Sequence, residues 1–255
     1  MIRIACQTIT WGPEKNRENT DQVLSEVRKA GFSGVEIGAR HLDHSKSEYY
    51  KGLLEGNGLQ LVALHVGGNF LDQASVAEQV QNIGKTIRFA ESLGTGYIFI
   101  SGSYIKGKTA EDYRREAQVY NKIGVLCKDS GLKLCYHNHD WEIWNGLEGM
   151  RLLLENTDQE LVFLVPDVGW VTRGGADPVH FVEENYRRIE AVHFKEFTTD
   201  GGFTEIGKGI VNFRGVYDSI RDKGDIWVVT EQDQTTTTPL ESAGMNYAYV
   251  KSLIK

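Results

Sequence analysis

The chain is 255 residues long and 40% hydrophobic, so it can bury one large core, and we expect a single α/β domain over residues 1–255. It has 28 Lys and Arg against 35 Asp and Glu, and the resulting net charge of -7 argues against a nucleic-acid partner. No secretion signal opens the chain and no run of about 18 apolar residues occurs, so we expect a cytoplasmic protein without a membrane segment.

Strand-like apolar runs alternate with longer amphipathic segments from one end of the chain to the other. The predicted strands cover residues 2–9, 34–38, 59–66, 97–101, 132–139, 161–167, 189–196 and 225–232. Eight strands in 255 residues leave about 32 residues for each strand and its helix, near the roughly 30 of a βα unit. Polar residues gather where the strands end, and no glycine-rich dinucleotide turn follows the first strand. The pattern therefore predicts a single (β/α)8 TIM barrel in preference to an open doubly wound sheet.

Four side chains of metal-binding type follow the late strands at nearly regular intervals: Glu142, Asp167, His193 and Glu231. In a barrel these side chains converge on the face formed by the strand C-termini, where barrel enzymes have their active sites. Three carboxylates and one imidazole favour a single divalent ion, Mn2+ foremost, with Mg2+, Co2+ or Zn2+ as alternatives. Taken alone, Asp167 also fits a helix N-cap, and Glu142 also fits an ion pair with an arginine in a packed loop.

Five segments, YHNHDWE, PDVGW, HFKE, GKGIVNF and EQDQ, resemble the xylose isomerase-like barrel superfamily. That superfamily includes sugar isomerases and epimerases, often labelled sugar phosphate isomerase/epimerase, and an inosose dehydratase branch. The resemblance implies an ion held by two glutamates, an aspartate and a histidine, with matches at Asp167, His193 and Glu231. Much of the superfamily has a glutamate where this chain has Tyr136, so the resemblance implies Glu142 as the fourth ligand. Trp170 replaces a histidine of many relatives, which favours one ion over a multi-zinc site.

The predicted site supplies groups that can move a proton beside a carbonyl. Glu142 and Glu231 would act as base and acid on an enediolate stabilised by the ion, which isomerises or epimerises a keto-sugar, sugar derivative or cyclitol. His139 and Lys195 are further catalytic candidates, because either can protonate a leaving group. The same intermediate then makes the enzyme a lyase, either inosose dehydratase-like or eliminating from a 3-keto-glycoside.

The remaining predictions concern the substrate and the assembly. Side chains near the strand ends are predicted to bind a small sugar or cyclitol: Glu36, His65, His137, Trp170 and Arg173. Homo-oligomers are common among the proteins that the chain resembles, so one is possible here. A third hypothesis is a carbohydrate-binding barrel without catalysis, which Tyr136 and Trp170 favour because they replace catalytic-type side chains of the relatives.

Overall fold

Residues 1–254, which this computed structural model describes, form a barrel of eight parallel strands with a short antiparallel hairpin beside it. The strands are β1 (Ile2–Gln7), β2 (Gly34–Gly38), β3 (Gln60–Gly68), β4 (Tyr97–Gly102), β5 (Lys133–Tyr136), β6 (Val162–Leu164), β7 (Ala191–Phe194), β8 (Glu196–Phe197), β9 (Phe203–Thr204) and β10 (Ile226–Thr230). Strands β8 and β9 make the hairpin, and the barrel order is β6-β5-β4-β3-β2-β1-β10-β7. Isolated parallel bridges from Leu164 to Ile189 and from Asp167 to His193 connect the β6 and β7 segments. The predicted TIM barrel is confirmed.

Helices follow the strands and pack around the outside of the barrel. They are α1 (Gly12–Glu18), α2 (Thr20–Ala30), α3 (Ser47–Asn57), α4 (Val76–Ser92), α5 (Ala110–Asp129), α6 (Trp144–Asn156), α7 (Val168–Arg173), α8 (Pro178–Glu184), α9 (Phe213–Ile220) and α10 (Pro239–Ile254). Helix α5 begins in a capping box, in which Thr109 and Asp112 each accept a hydrogen bond from the other's backbone N–H. Across residues 1–254, we find no helix with the length and apolar character needed to cross a membrane.

A layer of buried apolar side chains fills the barrel interior and forms the floor of the site. It consists of Ala5, Val62, Ala63, Phe99, Cys135, Val165, Ala191, Trp227 and Val229. Residues two apart on a strand face the same way, so the polar side chains two positions after seven of these residues stand above the floor. These are Gln7, His65, Ser101, His137, Asp167, His193 and Glu231. Gly34 makes room for the Trp227 ring, because a Cβ at this glycine would lie 2.5 Å from it.

Five of the strands end earlier than the sequence pattern predicts. Their last residues are Gln7, Tyr136, Leu164, Phe194 and Thr230, whereas the pattern predicts strands that continue to residues 9, 139, 167, 196 and 232. After Leu164, Pro166 has no N–H to donate to a neighbouring strand, so the ladder cannot continue regularly. The polar residues predicted at these strand ends therefore lie largely on the connections, where the backbone is free to turn.

Candidate metal centre

Four buried side chains meet above the floor of the barrel: His137, Asp167, His193 and Glu231. One potential ligand atom from each lies within 4.8 Å of those of the other three. His193 belongs to β7, and the other three residues follow β5, β6 and β10. The strand C-termini thus bring together residues that are 94 positions apart at the extremes, as the sequence analysis predicts for Asp167, His193 and Glu231.

Glu36 fixes the orientation and tautomer of His193. One oxygen of this fully buried carboxylate lies 2.6 Å from His193 Nε2, and Glu231 Oε2 lies 2.7 Å from His193 Nδ1. An ionised carboxylate only accepts hydrogen bonds, so Nε2 carries a proton towards Glu36. Nδ1, which faces the cluster, likewise donates to Glu231 when no metal is bound. Burial raises the pKa of Glu36, but the neighbouring His193 and His65 outweigh it and lower the pKa to about 2.

His193 itself is held as a cation when no metal is bound. Burial lowers its pKa, but Glu36 and Glu231 raise it more, to about 10. A metal ion binds the neutral imidazole, so a bound ion would replace this proton and keep the positive charge between the carboxylates.

Asp167 has one oxygen committed to the fold and one left for the cluster. Its Oδ1 accepts a hydrogen bond from the N–H of Trp170 at 3.0 Å and so caps α7. Its backbone is fixed by Asn138, whose side chain bonds both the N–H and the C=O of Asp167. Oδ2 is buried and has no hydrogen-bond partner among residues 1–254. The N-cap and the ligand interpretations of Asp167 are therefore compatible.

His137 completes the group with two nitrogens that form no hydrogen bond within the described part of the chain. Its Nε2 lies 3.3 Å from Glu231 Oε2 and 3.5 Å from Asp167 Oδ2. Buried polar atoms that lack partners are costly, and a cation shared by several such atoms removes that cost. The orphaned atoms of His137 and Asp167 thus fit a metal ion at this point.

The charge around the cluster also fits a cation. Lys195 Nζ lies 2.6 Å from Asp233, 3.3 Å from Glu231 and 3.5 Å from Asp167. Of the Lys and Arg side chains in residues 1–254, it is the only one within ion-pair distance of these carboxylates. Burial lowers the pKa of Lys195, but the three carboxylates raise it above its usual value, so the ammonium stays charged. Lys195 and the His193 cation together leave these three acids and Glu36 undercompensated.

A cavity of about 600 Å³ opens over the cluster. Five of the predicted site residues line it: His65, His137, His139, Lys195 and Glu231. Asp233 and Ser101 line it as well, although the sequence analysis does not predict them as site residues. Asp233 stands two positions after Glu231, and that same-face spacing is the signal that would have identified it.

A family model described as "Xylose isomerase-like TIM barrel" matches residues 24–249. The chain belongs to this family. An inosose dehydratase of Clostridium botulinum is 27% identical to this xylose isomerase-like barrel, and the alignment covers 98% of this chain and 96% of that protein.

Two solved structures share the fold of this xylose isomerase-like barrel. A sugar phosphate isomerase/epimerase from Parabacteroides distasonis superposes with a TM-score of 0.82 at 22% identity and covers 99% of this chain and 96% of its own. The IOLI protein, whose structure has a bound zinc atom, superposes with a TM-score of 0.79 at 14% identity over 99% and 98% of the two chains.

Glu142 does not join the cluster, contrary to the expectation that it is the fourth ligand. After β5 the chain forms a short 3-10 helix, Asp140–Glu142, and the carboxylate of Glu142 points back towards Tyr136. There it accepts hydrogen bonds from the His139 N–H at 2.7 Å and the Tyr136 hydroxyl at 3.0 Å. Burial raises the pKa of Glu142 to about 7, although these hydrogen bonds and the Lys108 charge lower it. His137, the first residue after β5, takes the fourth position in this xylose isomerase-like barrel.

Three residues predicted to bind substrate support the site from outside the cavity. Glu36 is fully buried between two histidines. Trp170 is buried against Phe197, with ring centroids 4.9 Å apart. Arg173 lies over both of these rings at 5.0 Å and places Nε 3.5 Å from Asp140. The structure gives none of the three a place on the cavity wall, in contrast to His65 and His137.

His139 occupies a distinct position at the cavity wall. Its ring stacks on Trp141 at a centroid distance of 4.1 Å, and Nδ1 has no hydrogen-bond partner in residues 1–254. Burial, reinforced by the charges of His137 and Lys195, holds the pKa of His139 well below its usual value. The ring therefore meets a ligand as a neutral imidazole, which is able to accept a proton.

Proposed function

We propose that this protein is a divalent-metal-dependent isomerase or epimerase that moves a proton beside the carbonyl of a keto-sugar, sugar derivative or cyclitol. The observation that carries the proposal is the buried cluster of two imidazoles and two carboxylates under an open cavity at the strand C-termini. A family of barrels that contains sugar isomerases and epimerases supports the same reaction class. Function still depends on the site and not on the fold alone.

The ion would be held by the four residues of the cluster: His137, Asp167, His193 and Glu231. When bound, it supplies Lewis-acid stabilisation of negative charge on substrate oxygens. With two imidazoles in place of one, the donor set is softer than the sequence predicts, and it favours Mn2+, Co2+ or Zn2+ over Mg2+. The zinc atom bound by the IOLI protein, which shares this fold, supports an ion of this kind.

The proton transfers are assigned to the two groups of suitable chemistry that line the cavity, Glu231 and His139. His139 is held neutral and lines the cavity, which suits a base. Glu231 has one oxygen 2.7 Å from His193, while the other lies 3.3 Å from Lys195. Lys195 only donates hydrogen bonds, so it would orient a substrate oxygen above the cluster. Glu142, which was expected to share the acid–base role, supports the loop that carries His139.

A lyase is the second candidate, and a specific observation favours it. The inosose dehydratase relative aligns over nearly the whole chain. Elimination needs the same removal of a proton beside a carbonyl, followed by protonation of a leaving hydroxyl or glycosyloxy group, for which Lys195 and His139 are available. A carbohydrate-binding barrel without catalysis is the remaining alternative.

Product analysis in heavy water tests the proposal. The metal-loaded protein is incubated with an inosose and with a panel of keto-sugars, and products are followed by NMR. Deuterium retained at an inverted or neighbouring carbon supports an isomerase or epimerase, whereas an enone or dehydrated product replaces it with the lyase. Asp167→Asn is the matched control and should abolish either reaction while the barrel stays folded. If wild-type protein neither exchanges deuterium nor binds a stoichiometric metal ion, the remaining interpretation is a carbohydrate-binding barrel without catalysis.

A further inference from the structure

A chain of hydrogen bonds crosses four strands from the cavity wall to the metal cluster. Ser101 Oγ, at the end of β4, lies 3.0 Å from His65 Nε2 on β3. His65 Nδ1 lies 2.8 Å from one oxygen of Glu36 on β2, and the other oxygen of Glu36 lies 2.6 Å from His193 on β7. The chain thus begins at a hydroxyl and ends at a cluster residue.

The carboxylate of Glu36 fixes the direction of every bond in this chain. It only accepts, so His65 must donate to it through Nδ1–H. A neutral imidazole carries one proton, which Glu36 holds on Nδ1, so Nε2 has a lone pair towards Ser101. Ser101 must therefore donate its single proton to His65. Its oxygen is left with lone pairs only, which makes it an acceptor towards any ligand.

The oxygen of Ser101 is accessible to a ligand. Ser101 is half-buried and lines the cavity together with His65 and Gly67. Gly67 is exposed, and a Cβ built on it would lie 3.6 Å from Ser101 Oγ. The absence of a side chain at this glycine keeps the approach to the hydroxyl open.

We propose that Ser101 determines specificity by accepting a hydrogen bond from a free hydroxyl of the substrate. The inference rests on the proposed function and adds to it one requirement for the ligand. At the carbon next to β4 the substrate carries an unsubstituted hydroxyl. A phosphate ester, a methyl ether or a fluorine at that carbon offers no proton to Ser101 and is disfavoured.

Binding of analogues tests this inference. Affinities of the Mn2+-loaded protein for an inosose and its monofluoro analogues, one for each hydroxyl-bearing ring carbon, are measured by calorimetry with wild type and Ser101→Ala. Fluorine accepts but does not donate, so it distinguishes an acceptor Ser101 from a donor. At one ring position, fluorination should weaken binding to wild type by about ten- to hundredfold, the size of an unpaired polar group. Ser101→Ala should bind this analogue and the parent inosose with equal affinity.

Three controls separate the possible outcomes. Ser103→Ala, a serine two residues on that does not line the cavity, should keep the fluorine sensitivity. Ser101→Thr keeps a hydroxyl and should show the same fluorine sensitivity as wild type. Melting curves report whether each variant is folded. Wild-type sensitivity retained in Ser101→Ala at every position overturns the inference alone. Failure of wild type to bind the parent or any keto-sugar overturns the inference together with the proposed function.

Discussion

Asp167 uses its two carboxylate oxygens for different purposes. Oδ1 caps α7 at the Trp170 N–H, and Oδ2 faces the cluster without a hydrogen-bond partner in residues 1–254. Fold and site therefore depend on the same residue through separate atoms. Substitutions that remove one oxygen function at a time should separate the two roles.

Asp167→Asn should lose the metal while keeping the fold. The amide oxygen still caps α7, but a neutral NH2 group replaces the oxygen that faces the cluster. Asp167→Ala loses the cap as well, which costs about 1 kcal/mol more in the metal-free form. Metal content of the purified variants and urea unfolding after metal removal measure the two effects. Full metal occupancy in Asp167→Asn would remove this residue from the ligand set.

Glu142 should make the free energy of unfolding depend on pH. Its pKa is about 7 in the folded protein and 4.5 in the unfolded reference. Between these values the unfolded chain has lost a proton that the folded protein retains, so stability falls as pH rises through this window. The contribution is present below about pH 4.5, lost above about pH 7, and on the order of 3 kcal/mol.

Glu142→Gln isolates this contribution. The amide keeps an acceptor for the His139 N–H and does not ionise. Urea unfolding of both proteins at pH 5 and pH 8 gives the test, because all other groups cancel in the comparison. The variant should gain stability relative to wild type at pH 8. If the variant and wild type differed in free energy of unfolding by the same amount at pH 5 and pH 8, the raised pKa of Glu142 would be contradicted.

At the scale of elements, a buried ion pair ties the connection after β4 to α5. The Lys108 ammonium is in direct contact with the Glu116 carboxylate, and it lies 4.3 Å from the centroid of the Tyr113 ring. Both charged side chains are almost completely buried. The connection between β4 and α5 is thus anchored by charge and packing together.

Lys108→Met should destabilise the protein by about 3–5 kcal/mol, because it leaves the Glu116 carboxylate buried without a cation. Burial already raises the pKa of Glu116 against the effect of Lys108, so the unpaired carboxylate would take up a proton, and that protonation is part of the loss. The double variant Lys108→Met with Glu116→Gln should recover most of the loss. Urea unfolding of the single and double variants measures both. A double variant no more stable than the single one would show that the pair contributes through packing alone.

The sequence predicts elements better than it predicts their ends. Apolar runs identify every barrel strand, since buried parallel strands need apolar side chains on both faces. The ends depend on tertiary contacts that no local pattern records. Glu142 is the example: its hydrogen bonds to Tyr136 and His139 accompany the 3-10 turn that removes it from the cluster. His137, predicted only to bind substrate, lies at the cluster position that the sequence analysis predicts for Glu142.

At the scale of the whole molecule, a bound ion should raise the melting temperature. The four cluster residues come from strands far apart in sequence, so the unfolded chain offers no comparable site. An ion at a hundred times its dissociation constant stabilises the fold by about 2.7 kcal/mol. Protein stripped with EDTA should melt lower and recover with Mn2+, Co2+ or Zn2+ more than with Mg2+. Asp167→Asn should show no such response, and an identical melting temperature in stripped and loaded wild type would contradict the site.

The bridges between β6 and β7 have a consequence for how the barrel closes. Asp167 and His193 form one of the two isolated bridges that connect these segments, and both belong to the cluster. An ion bound by both residues would therefore link the β6 and β7 segments, where the barrel closes. Amide hydrogens of Val162–Leu164 and Ala191–Phe194 should exchange faster once the ion is removed, while those of β1 to β4 change little. The ion proposed to activate the substrate would then also hold the β6 and β7 segments together.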